Sequence, residues 1–518
     1  MTSPGDTPRY DAIVVGSGIG GLACACALTR SGYKVLVLEQ HSAPGGLTQT
    51  FSREGFTWDV GLHYLGEMAD GGAGRRVLDW LSGGAMRFVP VGAVYDTVHF
   101  PGGFEMQFAR PEAALRLELE ERFPRSRTAI GAYFAAVEKA AKAGRALFAR
   151  RAMPSLLAGI FGFWHGDEIE QWWGRTTEAV LNELIGDSRL RAVLAAQRGD
   201  YGPEPRESSF GVHAMVARHY FDGAYYPLGG GKAFADNLIP VIENGGGAVR
   251  TRTRVTEIIL ENDAVAGVRT NKGRELRCPV ICSDAGARAT TLELLPPHVR
   301  TSPWAQEIAS FRPAACHVAL YLGLRGDIRA RGATSSNHWF YENWDLTGNT
   351  WQGPQAQPVP PAVFVSFPSL KDGQGGSERD ANHTAHMIAF TDWELFRSWE
   401  DSTIGRRPAA YQELKQLIAQ RLLEQFSRYF PALAPLIVYQ EVSTPLSTVA
   451  FTGAEHGAVY GLEPSPRRFL SSSLRAKTPV QGLYLTGQDV TSGGITGAMA
   501  GGVLAAAAIE PGVIHHLS

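Results

Sequence analysis

The chain has 518 residues, beyond the ~250–300 at which one core stops growing, so two intergrown domains are expected. Its 49 Lys+Arg against 51 Asp+Glu leave a formal charge of −2, which excludes a global basic field for nucleic acid. With 44% hydrophobic and 19% charged residues it is no disordered chain, and its 59 glycines follow no collagen-like period, so turns and close ligand approaches should use much of the surplus.

Cys24, Cys26, Cys278, Cys282 and Cys316 form an odd set with no CxxC pair and no matching His spacing, so neither a disulfide framework nor a metal site is expected. Met1–Arg9 lacks a basic-then-apolar leader and no 18-residue apolar stretch follows, giving the expectation of a soluble, cytoplasmic protein. The apolar run Leu156–Trp164 is too short to span a bilayer; Phe161, Phe163 and Trp164 suit either a buried helix end or a peripheral membrane contact.

From Tyr10 the chain reads YDAIVVGSGIGGLACACALTRSGYKVLVLEQ, which is strand, glycine turn, small-residue helix, strand. Gly16, Gly18 and Gly21, with Ile19 and Gly20 between them, occupy a GxGxxG fingerprint. There glycine permits the tight turn, lets backbone approach a pyrophosphate and packs helix on strand. The helix N-terminus faces the anion. Glu39 lies 23 residues after Gly16, near the ~20 expected of a carboxylate that accepts ribose hydroxyls, and Gln40 follows it.

Next come Pro44, Gly45, Gly46, Leu47 and Thr48, where a second glycine pair lets backbone approach another part of an extended ligand. VYDTVHF and FEMQF around Pro101–Gly103 predict a hairpin, and Ile130, Phe134, Val137 and Ala141 recur at helical spacing. A turn at Gly229–Gly231 precedes a helix over Lys232–Glu243 and short strands in which Val255 presents backbone to an adenine; Asp284 closes this segment. HVALYLGL, AVFVSF and HTAHMIAF predict a sheet, while Gln355–Pro361 and Lys371–Asp380 read as surface loops.

Near the end, a strand over Leu483–Thr486 leads to a turn with Gly487 and Asp489. A helix then begins near Gly494 or Ile495, so Gly494, Ile495 and Thr496 offer N–H groups and a positive dipole end. These suit the pyrimidine edge of a reduced flavin. A nicotinamide alone needs no contacts from both ends of the chain, so FAD is the expected dinucleotide.

Three stretches, VLEQHSAPGGLTQTF with FTWDVGLHYLG, STPLSTVAFTGAEHGAVYGLE, and GLYLTGQDVTSGGITGAMAGG, resemble the flavoprotein family of phytoene desaturases, carotenoid isomerases and retinol saturases. The nearer likeness is to the retinol saturase (all-trans-retinol 13,14-reductase) branch. The resemblance implies an α/β architecture: a Rossmann-like FAD domain of the two-dinucleotide-binding, glutathione-reductase type, interleaved with an α+β substrate domain. The FAD parts fall at 8–68, 228–290 and 472–512, the substrate parts at 69–227 and 291–471. It also implies non-covalent FAD and a hydrophobic polyene or isoprenoid substrate. The segment that bears a cysteine in the family reads Leu47, Thr48 and Gln49 here.

Adding hydrogen across C=C needs a hydride from reduced flavin and a proton from a positioned acid. His63 and Tyr64, following the glycine pair, are the candidate catalytic residues, although either can be satisfied structurally as a hydrogen-bonded or packed side chain. Tyr225 and Tyr226 suit a flavin face or plain core. Asp59 should order the Gly229 turn that follows them by accepting backbone N–H bonds, and Arg53 is a weaker candidate for flavin or phosphate contact. His213, His219, His317, His338 and His456 read as structural, and Trp164, Trp172, Trp173, Phe340 and Tyr341 as core.

The leading expectation is an FAD-dependent reductase of polyene C=C bonds with an external electron donor. Carotenoid desaturation or cis-trans isomerisation is the near alternative. A prenyl-lipid-binding escort or an amine oxidase are the remoter ones.

Overall fold

The computed structural model describes residues 9–153, 165–372 and 382–516. The apolar run Leu156–Trp164 and all of the Lys371–Asp380 stretch beyond Asp372 lie outside them.

A five-stranded parallel sheet organises the dinucleotide half. Strand Ala12–Val15 pairs with Val35–Leu38 on one side and Ile281–Ser283 on the other; Ala248–Arg250 and Leu483–Leu485 complete the edges. Every residue of the two N-terminal strands is buried, as expected of a parallel sheet covered on both faces. Helix Ile19–Arg30 crosses from the first strand to the second and packs closely against helix Ile495–Ile509.

Glycine is the price of that approach. A Cβ on Gly502 would stand 2.2 Å from the carbonyl oxygen of Gly20, and one on Gly21 would stand 2.3 Å from that of Gly16. Backbone cannot retreat from such contacts, so much of the small-residue character of both helices is packing.

The second large sheet has seven strands, in the order Ile437–Ser443, Cys316–Arg325, Asn382–Thr391, Ala362–Ser366, Asn337–Tyr341, Val94–Phe100 and Phe104–Ala109. The predicted hairpin around Pro101 is its edge, and the three predicted strands are neighbours within it. Because side chains alternate across a strand, Val318, Leu320, Leu322, Val365, Met387 and Ala389 share a core with helix Ala409–Tyr429. The opposite phase is left for a cavity.

The predicted helical spacing at Ile130, Phe134, Val137 and Ala141 is realised in helix Arg127–Ala152, where all four are buried. The helix expected over Lys232–Glu243 runs Ala233–Asn244. Lys371 corrects the loop expectation: it is buried, its ammonium donating to the carbonyl of His63 and to Ser366 Oγ, each at 2.8 Å, and to Asn337 Oδ1. No helix among the described residues is long and apolar enough to cross a membrane.

Candidate active site

Two cavities meet at Ile19, Leu47, Gln488 and Ala498, which line both. The first is the glycine-loop cleft. Gly16, Gly18, Ile19, Gly20, Glu39, Gln40, Gly46, Leu47, Val255, Asp284 and Asp489 line it, so three distant segments converge as predicted. Gly21 and Gly487 stand behind the wall: Gly21 packs on Gly16, and Gly487, at φ +77°, backs onto Asp284.

Glu39 caps the loop. Its carboxylate accepts the N–H (2.9 Å) and hydroxyl (2.6 Å) of Ser17 and the N–H of His41 (2.7 Å). Asp489 likewise accepts from Ala287 N (2.8 Å) and Leu462 N (3.0 Å). The fully buried Arg468 fixes its turn by donating to the carbonyls of Gln488 (2.5 Å) and Leu462. Asp284 sits against the glycine loop, and burial lifts its carboxyl to about 7 against the pull of the Gly21 N–H; Glu39 and Asp489 push the same way as burial. A neutral carboxyl there spares an incoming pyrophosphate like-charge repulsion.

The second cavity opens from the first. Gly45, Leu47, Thr48, His63, Gly494 and Ile495 are part of its lining. Among the described residues, Gly494, at φ +84°, has nothing within 4 Å of where a Cβ would lie, and the buried hydroxyl of Thr496 has no hydrogen-bond partner. A glycine-lined cleft bordered by Glu39 and Asp489, running to an open helix N-terminus whose hydroxyl has no partner among the described residues, fits FAD.

The far wall is aromatic. Trp339 and Tyr341, Ala362 and Phe364, Ile388 and Phe390 are i, i+2 pairs from three neighbouring strands, joined by His317, Tyr321 and Tyr460. His317 and Tyr341, expected to be structural or core, therefore face this space.

His63 also lines the cavity, with Nδ1 buried and unpartnered. Burial, reinforced by His386 and Lys371, pushes it well below the usual imidazole range, so it is neutral. Tyr64 departs from expectation. It lines neither cavity; its ring stacks on Tyr220 at 4.5 Å and its hydroxyl lies 3.0 Å from Asp96 Oδ2 and 2.8 Å from Asp200 Oδ2. A buried phenol needs polar partners, and these two carboxyls take it.

Arg53 lines neither cavity; it sits on an exposed strand end, 3.8 Å from Glu441. Tyr225 and Tyr226 are core residues of the short ladder with Phe88–Pro90. The Tyr226 hydroxyl donates to Asp59, which also accepts the Gly231 N–H at 2.6 Å, as the turn reading expected. Gln488, Asp200, Arg198 and Tyr460 line the aromatic cavity without having been singled out. Gln488 lay inside the TGQDV stretch and Tyr460 inside STPLSTVAFTGAEHGAVYGLE, but nothing in the local sequence marked Asp200 or Arg198.

The chain belongs to the family described as flavin-containing amine oxidoreductases, whose model matches residues 19–510. It is an FAD-dependent oxidoreductase. It is 33% identical to the all-trans-retinol 13,14-reductase of Danio rerio over 515 residues, covering 95% of this chain and 84% of that protein. It is 26% identical to the chloroplastic prolycopene isomerase of Daucus carota, covering 97% of this chain and 80% of that protein. Among solved structures, an oxidoreductase from Methanosarcina mazei shares the fold with a TM-score of 0.64 at 17% identity, covering 95% and 98% of the two chains.

Proposed function

We propose that this enzyme reduces a C=C bond of a long hydrophobic polyene or isoprenoid, in the manner of the retinol reductases it resembles. The observation that carries the reading is the aromatic cavity opening directly from the dinucleotide cleft. Its wall of Trp339, Tyr341, Phe364, Ile388 and Phe390 offers apolar and π surface for a polyene, while His63, Arg198, Asp200 and Gln488 lie elsewhere on the lining.

Bound FAD, once reduced by an external two-electron donor, supplies a hydride to one carbon of the double bond. The chain does the rest. Gly16, Gly18, Gly20, Glu39, Asp284 and Asp489 would hold the dinucleotide, and Gly45, Gly46, Leu47, Thr48, Gly494, Ile495 and Thr496 its ring end. The aromatic strands exclude water and align the polyene, and His63 borders the reacting space as a neutral polar contact. Delivery of so apolar a substrate from a lipid surface belongs to the same reading.

The prolycopene isomerase likeness supports isomerisation as the second reading, since it would use the same cavity. Reducing the flavin under anaerobic conditions and then adding all-trans-retinol or a carotenoid separates the readings. Bleaching of the polyene with flavin reoxidation is the result expected. A shifted polyene spectrum with the flavin still reduced would mean isomerisation. Reduction of oxidised flavin by the added lipid would mean desaturation.

A further inference from the structure

Saturating a double bond consumes a proton as well as a hydride, and the cavity wall holds a carboxyl suited to give it. Asp200 ends the short helical turn Ala196–Asp200 and borders the aromatic cavity. Its Oδ2 is 2.8 Å from the Tyr64 hydroxyl, and that hydroxyl is 3.0 Å from Asp96 Oδ2. A phenol has one O–H proton, and an ionised carboxylate can only accept. Tyr64 can donate fully to only one of the two carboxyls, so its contact with the other favours a protonated carboxyl that donates in turn.

The surroundings decide which one. Asp96 is furnished with donors: Gln197 Nε2 lies 2.6 Å from its Oδ2 and Asn337 Nδ2 lies 3.0 Å from its Oδ1. Behind Asn337 stands the buried ammonium of Lys371, donating to Asn337 Oδ1. Asp200 has no such support: beyond Tyr64 its carboxyl has no hydrogen-bond partner among the described residues, and the residue lines the cavity. The ionised member is Asp96 and the neutral one Asp200.

Burial and the neighbouring Asp96 also raise Asp200 well above the usual carboxylate range, against the pull of Tyr64 and Lys371. Desolvation raises Asp96 as well, but Asn337, Gln197, Tyr64 and Lys371 all oppose it. His63, another polar side chain lining the cavity, is held neutral by its burial and by His386 and Lys371.

We infer that Asp200 is the proton donor of the reaction, with Tyr64 and Asp96 as positioning residues that hold its proton at the cavity wall. The inference rests on the proposed C=C reduction. One carbon gains the hydride with its electron pair; the π pair of the broken double bond goes to the other carbon, which takes the Asp200 proton. The O–H bond breaks with its electrons left on Asp200, which regains a proton from water before the next turnover. The two electrons come from the external donor through the reduced flavin.

The test compares FAD-loaded wild type with Asp200→Asn, Asp200→Glu and Tyr64→Phe, using all-trans-retinol as the probe and dithionite as reductant. Asp200→Asn is expected to keep its FAD content and melting temperature, since the amide still meets Tyr64, but to form the dihydro product about 10²–10⁴-fold more slowly. Asp200→Glu should recover part of the rate. Infrared spectra without substrate supply a readout independent of turnover. Recorded at about pH 8.5, above the range in which Asp284 is neutral, a protonated-carboxyl C=O band is expected in wild type, absent from Asp200→Asn and shifted in Tyr64→Phe.

An undiminished rate in Asp200→Asn, or a carboxyl band that survives in it unchanged, overturns the assignment. A band unmoved by Tyr64→Phe overturns the positioning role. If wild type saturates no polyene, the proposed function fails instead, and the infrared band alone then decides whether Asp200 carries the proton.

Discussion

Glu39 and Ser17 are joined twice: one carboxylate oxygen accepts both the backbone N–H and the hydroxyl of the serine that follows the first glycine of the loop. The pair ties the end of the second strand to the glycine turn and sets the loop before any ligand arrives. Glu39→Ala orphans a buried N–H, at a cost of about 1–3 kcal/mol. The expected outcome is FAD bound roughly 10- to 100-fold more weakly, read by titrating apoprotein and following flavin fluorescence.

Gly21 tests the packing of helix on strand. An added methyl at this position meets the Gly16 carbonyl at 2.3 Å, and backbone must move to admit it. Gly21→Ala is expected to lower stability by about 1–3 kcal/mol or more and to yield largely colourless protein. Gly32→Ala is the control. Its φ is +91° but no atom lies within 4 Å of the new methyl, so it costs about 1–2 kcal/mol of backbone strain and keeps its flavin. Melting temperature and the flavin-to-protein ratio separate the two.

Asp284 makes FAD binding pH-dependent. Its carboxyl is neutral below about 7 and ionises above, where it faces the same loop as the pyrophosphate. Affinity is expected to fall by up to about tenfold per pH unit as pH rises past 7. In Asp284→Asn the slope should vanish; titrations between pH 6 and 8.5 read it directly.

His386 governs acid sensitivity in the opposite sense. Both its ring nitrogens are buried without partners, and burial pushes it from the usual 6.5 to about 3. Below pH 6.5 the unfolded chain takes up a proton that the folded chain refuses, so this stability is lost as pH falls towards 3. His386→Phe should lose less on acidification, the difference from wild type changing by about 1.4 kcal/mol per pH unit between pH 6 and 4. His213, His317 and His338 act in the same direction in both proteins, so only the difference is diagnostic. Denaturant melts at each pH measure it.

Arg468 pins the last cofactor segment. Replacing it with Met leaves the carbonyls of Leu462 and Gln488 without their donor, at about 1–3 kcal/mol each. Melting temperature and flavin content should fall together, because the same turn carries Asp489.

The cofactor cleft was legible because its chemistry is local. A glycine loop needs its glycines within a few residues, and Glu39 follows one strand later. The aromatic wall was half legible: period two at Trp339 and Tyr341 or at Ile388 and Phe390 marks strands, but which phase meets a helix and which a cavity depends on strand order. The Tyr64, Asp96, Asp200 and Lys371 group was not legible, since its members lie far apart in the chain and Lys371 opens a stretch whose Gly and polar composition resembles solvent-facing loop. Tyr64 was singled out for its neighbourhood to the glycine pair, whereas its role is set by two carboxyls that only the fold brings to it.

The parallel sheet that carries the cleft takes its edge strand from Leu483–Leu485, and the helix packed on the first glycine helix ends at Ile509. During synthesis the ribosome therefore releases the fingerprint loop first and its far wall last. Until that wall is made, the nascent polypeptide owns a nucleotide motif with no chamber behind it. Flavin capture therefore waits for this edge strand, and a premature stop upstream of it leaves an uncoloured product however intact the glycine loop.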